Sequence, residues 1–161
     1  MRLVSVQEQD FDIGALLSAV GQTGTGGIAS FVGLVRQNAE NDLKVLRLEH
    51  YPGMTEKALE CLIDEAQARW PLTGCVLIHR VGRLFPGQSI VLVATASAHR
   101  AASLAATSYL IDQLKTRAPF WKAEERITGE ICWVQHRQTD THATAAWHQP
   151  SHDLPHEAGQ L

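Results

Sequence analysis

The chain has few cysteines and no long apolar run, and both absences exclude whole classes of protein. Its 161 residues include 3 cysteines, which are too few and too widely spaced for a disulfide framework or a metal-binding knuckle. No apolar segment approaches the roughly 20 residues that cross a bilayer. The first residues also lack the architecture of a secretory signal peptide. We therefore expect a protein of the reducing cytoplasm that does not enter a membrane.

Positive charge is also scarce. The formal net charge is −3, which excludes a protein that binds nucleic acid through its bulk charge. Any anion-binding site must therefore be a local basic cluster on an acidic body. Hydrophobic residues make up 45% of the chain, enough for a substantial core.

The chain length fits one domain, which we assign to residues 1–140. Residues 141–161 contain few large apolar side chains and two prolines, Pro150 and Pro155. His148, His152 and His156 recur every fourth residue, as metal ligands on a helix do, but the prolines interrupt such a helix. This composition favours a disordered tail over a metal site.

One eight-residue segment, Lys115 to Lys122, combines three cations with two large aromatic residues. Pro119 forbids continuation of the apolar helix that precedes it, so Lys115 is predicted on the last helical turn and Lys122 on a following strand. Two interpretations are open. The cations could simply be stabilised by the negative, C-terminal end of the helix macrodipole. Alternatively, the corner brings both lysines into one pocket that binds anions or transfers protons.

The remaining pattern predicts an α+β fold with two long helices covering a mostly antiparallel sheet. Strands are expected at 2–6, 28–36, 44–51, 74–81, 89–96, 120–127 and 130–135, and helices at 12–20, 55–70 and 97–117. Thr55 and Ser97 are the predicted caps of the two long helices. The strand at 28–36 is apolar on both faces and is expected to be buried. The polar segment 37–43 is expected to be a mobile loop.

Four motifs in this order resemble the large, catalytic subunit of molybdopterin synthase: LEHYPGMTEKAL at 48–59, HRVG at 79–82, SAHR at 97–100 and KTRAPFWK at 115–122. The resemblance extends from about residue 28 to about residue 140. It implies an α/β hammerhead fold with a small additional antiparallel sheet, which is compatible with the pattern of predicted strands and helices.

The resemblance also implies a function. It predicts a sulfurtransferase of molybdenum cofactor biosynthesis that converts cyclic pyranopterin monophosphate to molybdopterin by adding two dithiolene sulfurs. The sulfur donor would be the C-terminal thiocarboxylate of a small ubiquitin-like subunit that ends in Gly-Gly. Two large subunits would form a homodimer with a small subunit at each end, which makes a heterotetramer. Neither a metal nor an organic cofactor is implied.

Site residues follow from matching these motifs to the chain. Lys115 is the first choice for the catalytic group and Lys122 the second, since a lysine in a partly dry pocket can transfer protons and stabilise developing negative charge. The residues implied to bind substrate are Leu34, Val35, Arg36, His99, Arg100, Lys115, Lys122, Ala123 and Glu124, with Phe31 and Arg137 as further candidates. The family often has a basic residue where this chain has Leu34, which removes one cation from the rim of the pocket.

Two alternatives come from other functional classes. A non-catalytic module could use the same cations to bind a phosphorylated ligand or a protein C-terminal tail. The pair of titratable lysines beside aromatic residues favours chemistry over binding alone. A cysteine persulfide transferase is disfavoured because no cysteine lies in a basic or glycine-rich loop.

Two expectations concern the partners. Ile131, Trp133 and Val134 lie on a late strand that could form an exposed sheet edge, which favours a dimer with a pocket built from both chains. The small subunit is expected to enter tail-first through a channel to Lys115, with Phe120 or Trp121 as an apolar wall. Glycine permits the close backbone approach that this entry requires.

Overall fold

The computed structural model describes residues 1–134 and residue 147, and these form two four-stranded sheets and three helices. In chain order the elements are β1 (Arg2–Gln7), α1 (Ile13–Val20), β2 (Gly27–Leu34), β3 (Leu43–His50), α2 (Met54–Arg69), β4 (Leu72–Arg80), β5 (Gly82–Leu84), β6 (Ser89–Ser97), α3 (Arg100–Arg117), β7 (Phe120–Arg126) and β8 (Ile131–Val134). The predicted α+β class is confirmed. Along the described part of the chain, no helix combines the length and apolar character of a membrane span.

The first sheet has the strand order β1-β4-β6-β2 and is antiparallel except for the β1–β4 pair. Its two central strands are almost completely buried, since successive side chains point to opposite faces and both faces are covered. Leu77 and Val93 meet α2 and α3 on one face. Val76 and Leu92 meet Val20 of α1 on the other.

The second sheet has the strand order β5-β3-β7-β8 and is antiparallel throughout. The inward side chains of β3, including Leu46 and Leu48, form a separate apolar cluster with Val35 and Leu84. This sheet is reached directly from the end of α3 through Pro119. The connection places the strand that carries Lys122 beside the last turn of the helix that carries Lys115.

The structure corrects several local predictions. The strand predicted at 28–36 is not buried: β2 is an edge strand, and Ile28, Phe31 and Leu34 are 43%, 41% and 56% exposed. An apolar pattern on both faces does not distinguish a central strand from an edge strand whose outer surface serves a partner. The short strand β5 was not predicted, because Gly82–Leu84 lies directly after β4.

The two predicted helix caps are also wrong. Thr55 lies inside α2, where its Oγ1 accepts a hydrogen bond from the Tyr51 amide and donates one to the Pro119 carbonyl. Gly53 precedes the helix, and its amide donates to the Glu56 carboxylate at 2.6 Å. Ser97 ends β6 and donates to the Pro71 carbonyl, while His99 precedes α3 without a side-chain cap. Both hydroxyls join separate elements instead of capping their own helix.

Candidate active site

A cavity of about 1200 Å³ lies between the end of β2, the end of α3 and the inner face of the second sheet. Arg36, Lys115 and Lys122 all line it, together with Glu124. The two lysines and Arg36 are exposed, so the cavity opens to the surface at its charged side. Its floor is apolar and includes Leu46, Leu48, Val91 and Leu114. Three cations and one carboxylate at the mouth of an apolar pocket suit an anionic ligand with a flat organic body.

The corner that brings the lysines together is held by backbone hydrogen bonds. The Ala118 amide donates to the Leu114 carbonyl at 3.3 Å and closes α3. The Phe120 amide donates to the Ala118 carbonyl at 2.9 Å and opens β7. The Thr55 hydroxyl binds the intervening Pro119 carbonyl at 3.2 Å, which ties the corner to the start of α2. The sequence interpretation of a helix–proline–strand corner therefore describes the observed geometry.

Arg36 emerges from a fixed backbone on the other side of the cavity. Buried Val35 exchanges backbone hydrogen bonds with the 87–88 turn, its amide donating to the Gln88 carbonyl at 2.8 Å. Beyond Arg36, the 37–43 loop is closed on itself, since the Gln37 side chain binds both backbone groups of Leu43. The Asn38 side chain donates to the Asp42 carboxylate at 2.7 Å and accepts from the Asp42 amide at 3.0 Å. A loop expected to be mobile thus has a defined local frame.

The sequence profile of the MoaE protein family matches residues 6–117. The molybdopterin synthase catalytic subunit of Mesorhizobium japonicum is 47% identical over 151 residues, which cover 92% of this chain and 94% of that protein. The chain belongs to the MoaE protein family. This membership makes it an enzyme subunit of molybdenum cofactor biosynthesis.

Solved structures of MoaE proteins share the fold. The molybdopterin biosynthesis MoaE protein from Burkholderia ambifaria superposes with a TM-score of 0.79 at 43% identity, and the alignment covers 93% of this chain and all of that one. The complex of subunits 1 and 2 of the molybdopterin-converting factor from Helicobacter pylori contains a chain with a TM-score of 0.71 at 21% identity, covering 83% and 91% of the two chains. At that identity the likeness concerns the fold alone.

Two site residues expected for a MoaE protein lie away from the cavity. His99 and Arg100 are exposed at the start of α3 and do not line it. Lys115 lies fifteen positions after Arg100 along α3, which is a rise of about 22 Å at 1.5 Å per residue. The amino end of β2 lies beside Arg100, since Gly27 is close to its backbone, and the other end of β2 leads to the cavity. Within one chain, the two halves of the expected site are therefore at opposite ends of β2 and α3.

The remaining candidates differ in whether they line the cavity. Phe31, Leu34, Val35 and Glu124 line the cavity. Ala123 is buried and lies on the other face of β7, paired with Arg47 and Trp133. Arg137 lies outside the described residues, as do the three tail histidines. Trp147 is described, and its indole donates to Asp112 at 2.8 Å while its ring contacts Trp70 and Tyr109 edge-on.

No cysteine of the described chain lines the cavity. Cys61 is exposed on α2, and Cys132 lies on β8 with its thiol 3.5 Å from the Glu130 carboxylate. Burial raises the pKa of Cys75 to about 12. A thiolate nucleophile needs a lowered pKa, so this arrangement gives no support to a persulfide mechanism.

Among the cavity residues that sequence reasoning missed, His79 has a titratable side chain. It is the first residue of the HRVG motif and lines the cavity beside Phe120 and Lys122. Its Nδ1 donates to the Arg80 carbonyl at 2.8 Å, and its ring stacks on Phe120 with centroids 3.9 Å apart. Burial, reinforced by the Lys122 charge, lowers the pKa of His79 to about 4, so the ring is neutral at pH 7. The signal available in the sequence was the position of His79 at the start of the HRVG motif.

The other residues of that motif support the fold. Arg80 is buried and donates to the carbonyls of Glu8 and Ser89. Val81 belongs to the apolar cluster under the second sheet. Gly82 has a φ of 81°, a left-handed conformation that favours glycine. The motif therefore combines one cavity residue with three residues that connect the two sheets.

Proposed function

We propose that this chain is the catalytic subunit of a molybdopterin synthase and that it transfers sulfur to cyclic pyranopterin monophosphate in the cytoplasm. The observation that carries the proposal is the convergence of Lys115, Lys122 and Arg36 on one cavity in a MoaE fold. The cavity volume exceeds what a pterin alone needs, which leaves room for a second reactant.

The charges of the cavity suit the substrate. Arg36 and the two lysines provide charge-assisted hydrogen bonds for the cyclic phosphate, and the apolar floor accommodates the flat pterin. Glu124 projects from the same face of β7 as Lys122, two residues further along, and pairs with Leu46 on β3. A single carboxylate in this position can accept hydrogen bonds from the amino and ring N–H groups of a pterin.

The sulfur donor supplies its own nucleophile. A thiocarboxylate sulfur attacks a side-chain carbon of the pterin, and the C–S bond forms as a C–O bond at that carbon breaks; the departing oxygen, of the cyclic phosphate or of a hydroxyl group, takes up a proton. Water then hydrolyses the acyl–sulfur bond, which leaves a thiol on the pterin and a carboxylate on the donor, and a second donor supplies the second sulfur in the same way. The protein must move protons and stabilise the developing oxyanion, and Lys115 is our first candidate for this role, with Lys122 the second. No cysteine nucleophile is required.

The donor enters tail-first. The reacting atoms must approach to about 3–3.5 Å, and only a thin Gly-Gly tail can bring a folded donor that close to a cavity floor. Phe120 lines the cavity as an apolar wall, whereas Trp121 lies on the other face of β7. Val134 of the edge strand β8 also lines the cavity, so we assign the exposed β8 edge to the body of the small subunit.

A second copy of the chain completes the site. The β2–α3 surface between Arg100 and Lys115 is exposed and apolar, with Phe31 and Leu104 at 41% and 60% exposure beside a groove of about 520 Å³. With a twofold axis near the middle of this surface, the direction from Arg100 to Lys115 is reversed in the second copy. His99 and Arg100 of each copy then approach the cavity of the other. The resulting assembly is a dimer of catalytic subunits with a small subunit on each.

Reconstitution tests this function. The purified chain is mixed with a thiocarboxylated small subunit and cyclic pyranopterin monophosphate, and dithiolene product is assayed. We expect product from the wild-type chain and almost none from Lys115→Ala, with Lys57→Ala on the exposed face of α2 as the control. Binding of both partners without any product would favour the alternative, a non-catalytic module that binds phosphorylated ligands or protein tails.

A further inference from the structure

We propose that His79 is a positioning residue of this site: its imidazole forms a flat plate that fixes Phe120, and through Phe120 the start of the strand that presents Lys122. The inference rests on the proposed function, because it assigns His79 a part in the same reaction. It concerns a residue of the cavity wall and not a group that reacts.

The first support is geometric. His79 is the last but one residue of the buried strand β4 in the first sheet, whereas Phe120 begins β7 in the second. Their rings lie nearly parallel, at 20° and 3.9 Å between centroids. This stack therefore joins the two sheets at the point where the chain leaves the corner. Lys122 follows two residues later on the same face of β7.

The second support is that the plate itself is fixed. The Arg80 carbonyl can only accept a hydrogen bond, so Nδ1 carries the proton and the ring orientation is defined. Arg80 is in turn anchored to the carbonyls of Glu8 and Ser89. His79 is 8% exposed, and a ring in this setting has little freedom to rotate. Rigid support of this kind keeps a reactive side chain in its productive geometry.

The third support is electrostatic. The titratable groups that act on the His79 imidazole are Lys122 from β7 and His50 from β3, whereas Arg80 of its own strand contacts it through its backbone carbonyl. His50 lies 3.4 Å from the Glu56 carboxylate and directly opposite Phe120. Another cation beside Lys122 would repel the lysine. A neutral aromatic ring fills the position without adding charge, and its pKa, lowered by burial, keeps it neutral.

The test compares a flat apolar ring with a non-planar apolar side chain at position 79. His79→Phe retains a neutral plate, whereas His79→Leu fills similar space without one. In the reconstituted assay at saturating small subunit, we expect kcat of His79→Phe within about threefold of wild type and kcat of His79→Leu lower by at least about tenfold, with KM for the pterin changed by less than about twofold in both.

Ile63→Val and Ile63→Ala serve as stability controls, because Ile63 is fully buried in α2 and does not line the cavity. We expect Ile63→Val to lower Tm less than His79→Leu does and Ile63→Ala to lower it more. We expect both to retain the wild-type kcat. The inference is wrong if His79→Leu keeps the wild-type kcat. It is also wrong if His79→Phe is as slow as His79→Leu, or if the Ile63 variants lose kcat in proportion to Tm.

A second measurement separates this inference from the proposed function. Trace acylation of lysines, read by mass spectrometry, gives the reactivity of Lys122 relative to exposed Lys57 without any substrate. We expect this ratio to stay within about twofold of wild type in His79→Phe and to change by more than about threefold in His79→Leu. Equal ratios in the two variants would overturn the inference even if the wild-type chain were inactive. An inactive wild-type chain with the expected ratios would overturn the proposed function alone.

Discussion

Replacing His79 with phenylalanine should reduce the loss of stability of the folded chain between pH 7 and pH 5. In the unfolded chain His79 binds a proton near its ordinary pKa of 6.5, whereas in the folded chain it does so only near 4. Between these values the unfolded state holds a proton that the folded state lacks, so stability falls as the pH falls through this window. For the wild type, acidification from pH 7 to pH 5 then costs about 2 kcal/mol through this residue alone.

Phenylalanine retains the stack on Phe120 but cannot titrate. It loses the hydrogen bond to the Arg80 carbonyl, which lowers stability by about 1 kcal/mol at every pH. The pH-dependent difference between the two proteins isolates His79, because all other titrating groups are shared. Urea unfolding followed by tryptophan fluorescence at pH 7 and pH 5 measures it, at one protein concentration because assembly adds to apparent stability. A difference in pH dependence below about 0.5 kcal/mol would contradict burial of a neutral imidazole.

Four further predictions follow from the structure. Lys122→Ala should lower sulfur transfer at least about 100-fold without changing Tm, which reconstitution and calorimetry measure together; unchanged transfer would remove this lysine from the reaction. Glu65→Gln should lower the free energy of unfolding by about 1 kcal/mol at pH 7, because the Arg117 guanidinium lowers the pKa of this partly exposed carboxyl to about 2. The wild-type pair should weaken as pH falls from 4.5 toward 2, and this decline should be absent in Glu65→Gln. Gly82→Ala should cost about 1–2 kcal/mol because φ is 81° there, and an unchanged Tm would contradict that strain. Sedimentation at micromolar concentration should give a dimer that Phe31→Glu converts to monomer; a wild-type monomer would exclude the shared site.

Local signals predicted the corner but not its surroundings. Pro119 fixes the end of α3 whatever the tertiary structure, so the helix–proline–strand corner could be inferred from the chain alone. A shared pocket for Lys115 and Lys122 was one of two interpretations that the spacing left open. The exposure of β2 could not be inferred, because apolar residues at Ile28 and Phe31 suit a buried strand and a partner surface equally well. An apolar pattern predicts that a strand is covered, but it does not show whether the same chain or a partner covers it.

The position of His79 in the cavity was missed for a related reason. Its contact with Phe120 joins residues 41 positions apart on different sheets, and no periodicity within either strand reports it. Thr55 and Ser97 show the same limitation, since their hydroxyls bind the distant carbonyls of Pro119 and Pro71 and not their own helices. Hydrogen-bond partners far apart in sequence are set by the assembled fold.

The placement of Arg100 and Lys115 at opposite ends of α3 has a genetic consequence. If each complete site takes one residue from each copy, a chain that lacks Lys115 and a chain that lacks Arg100 are defective in different halves of the site. A mixed dimer then contains one site with both defects and one site with neither. Random mixing of equal amounts makes half of the dimers mixed, so about one quarter of wild-type activity returns from two inactive alleles. Such alleles would complement each other in a cell that carries both.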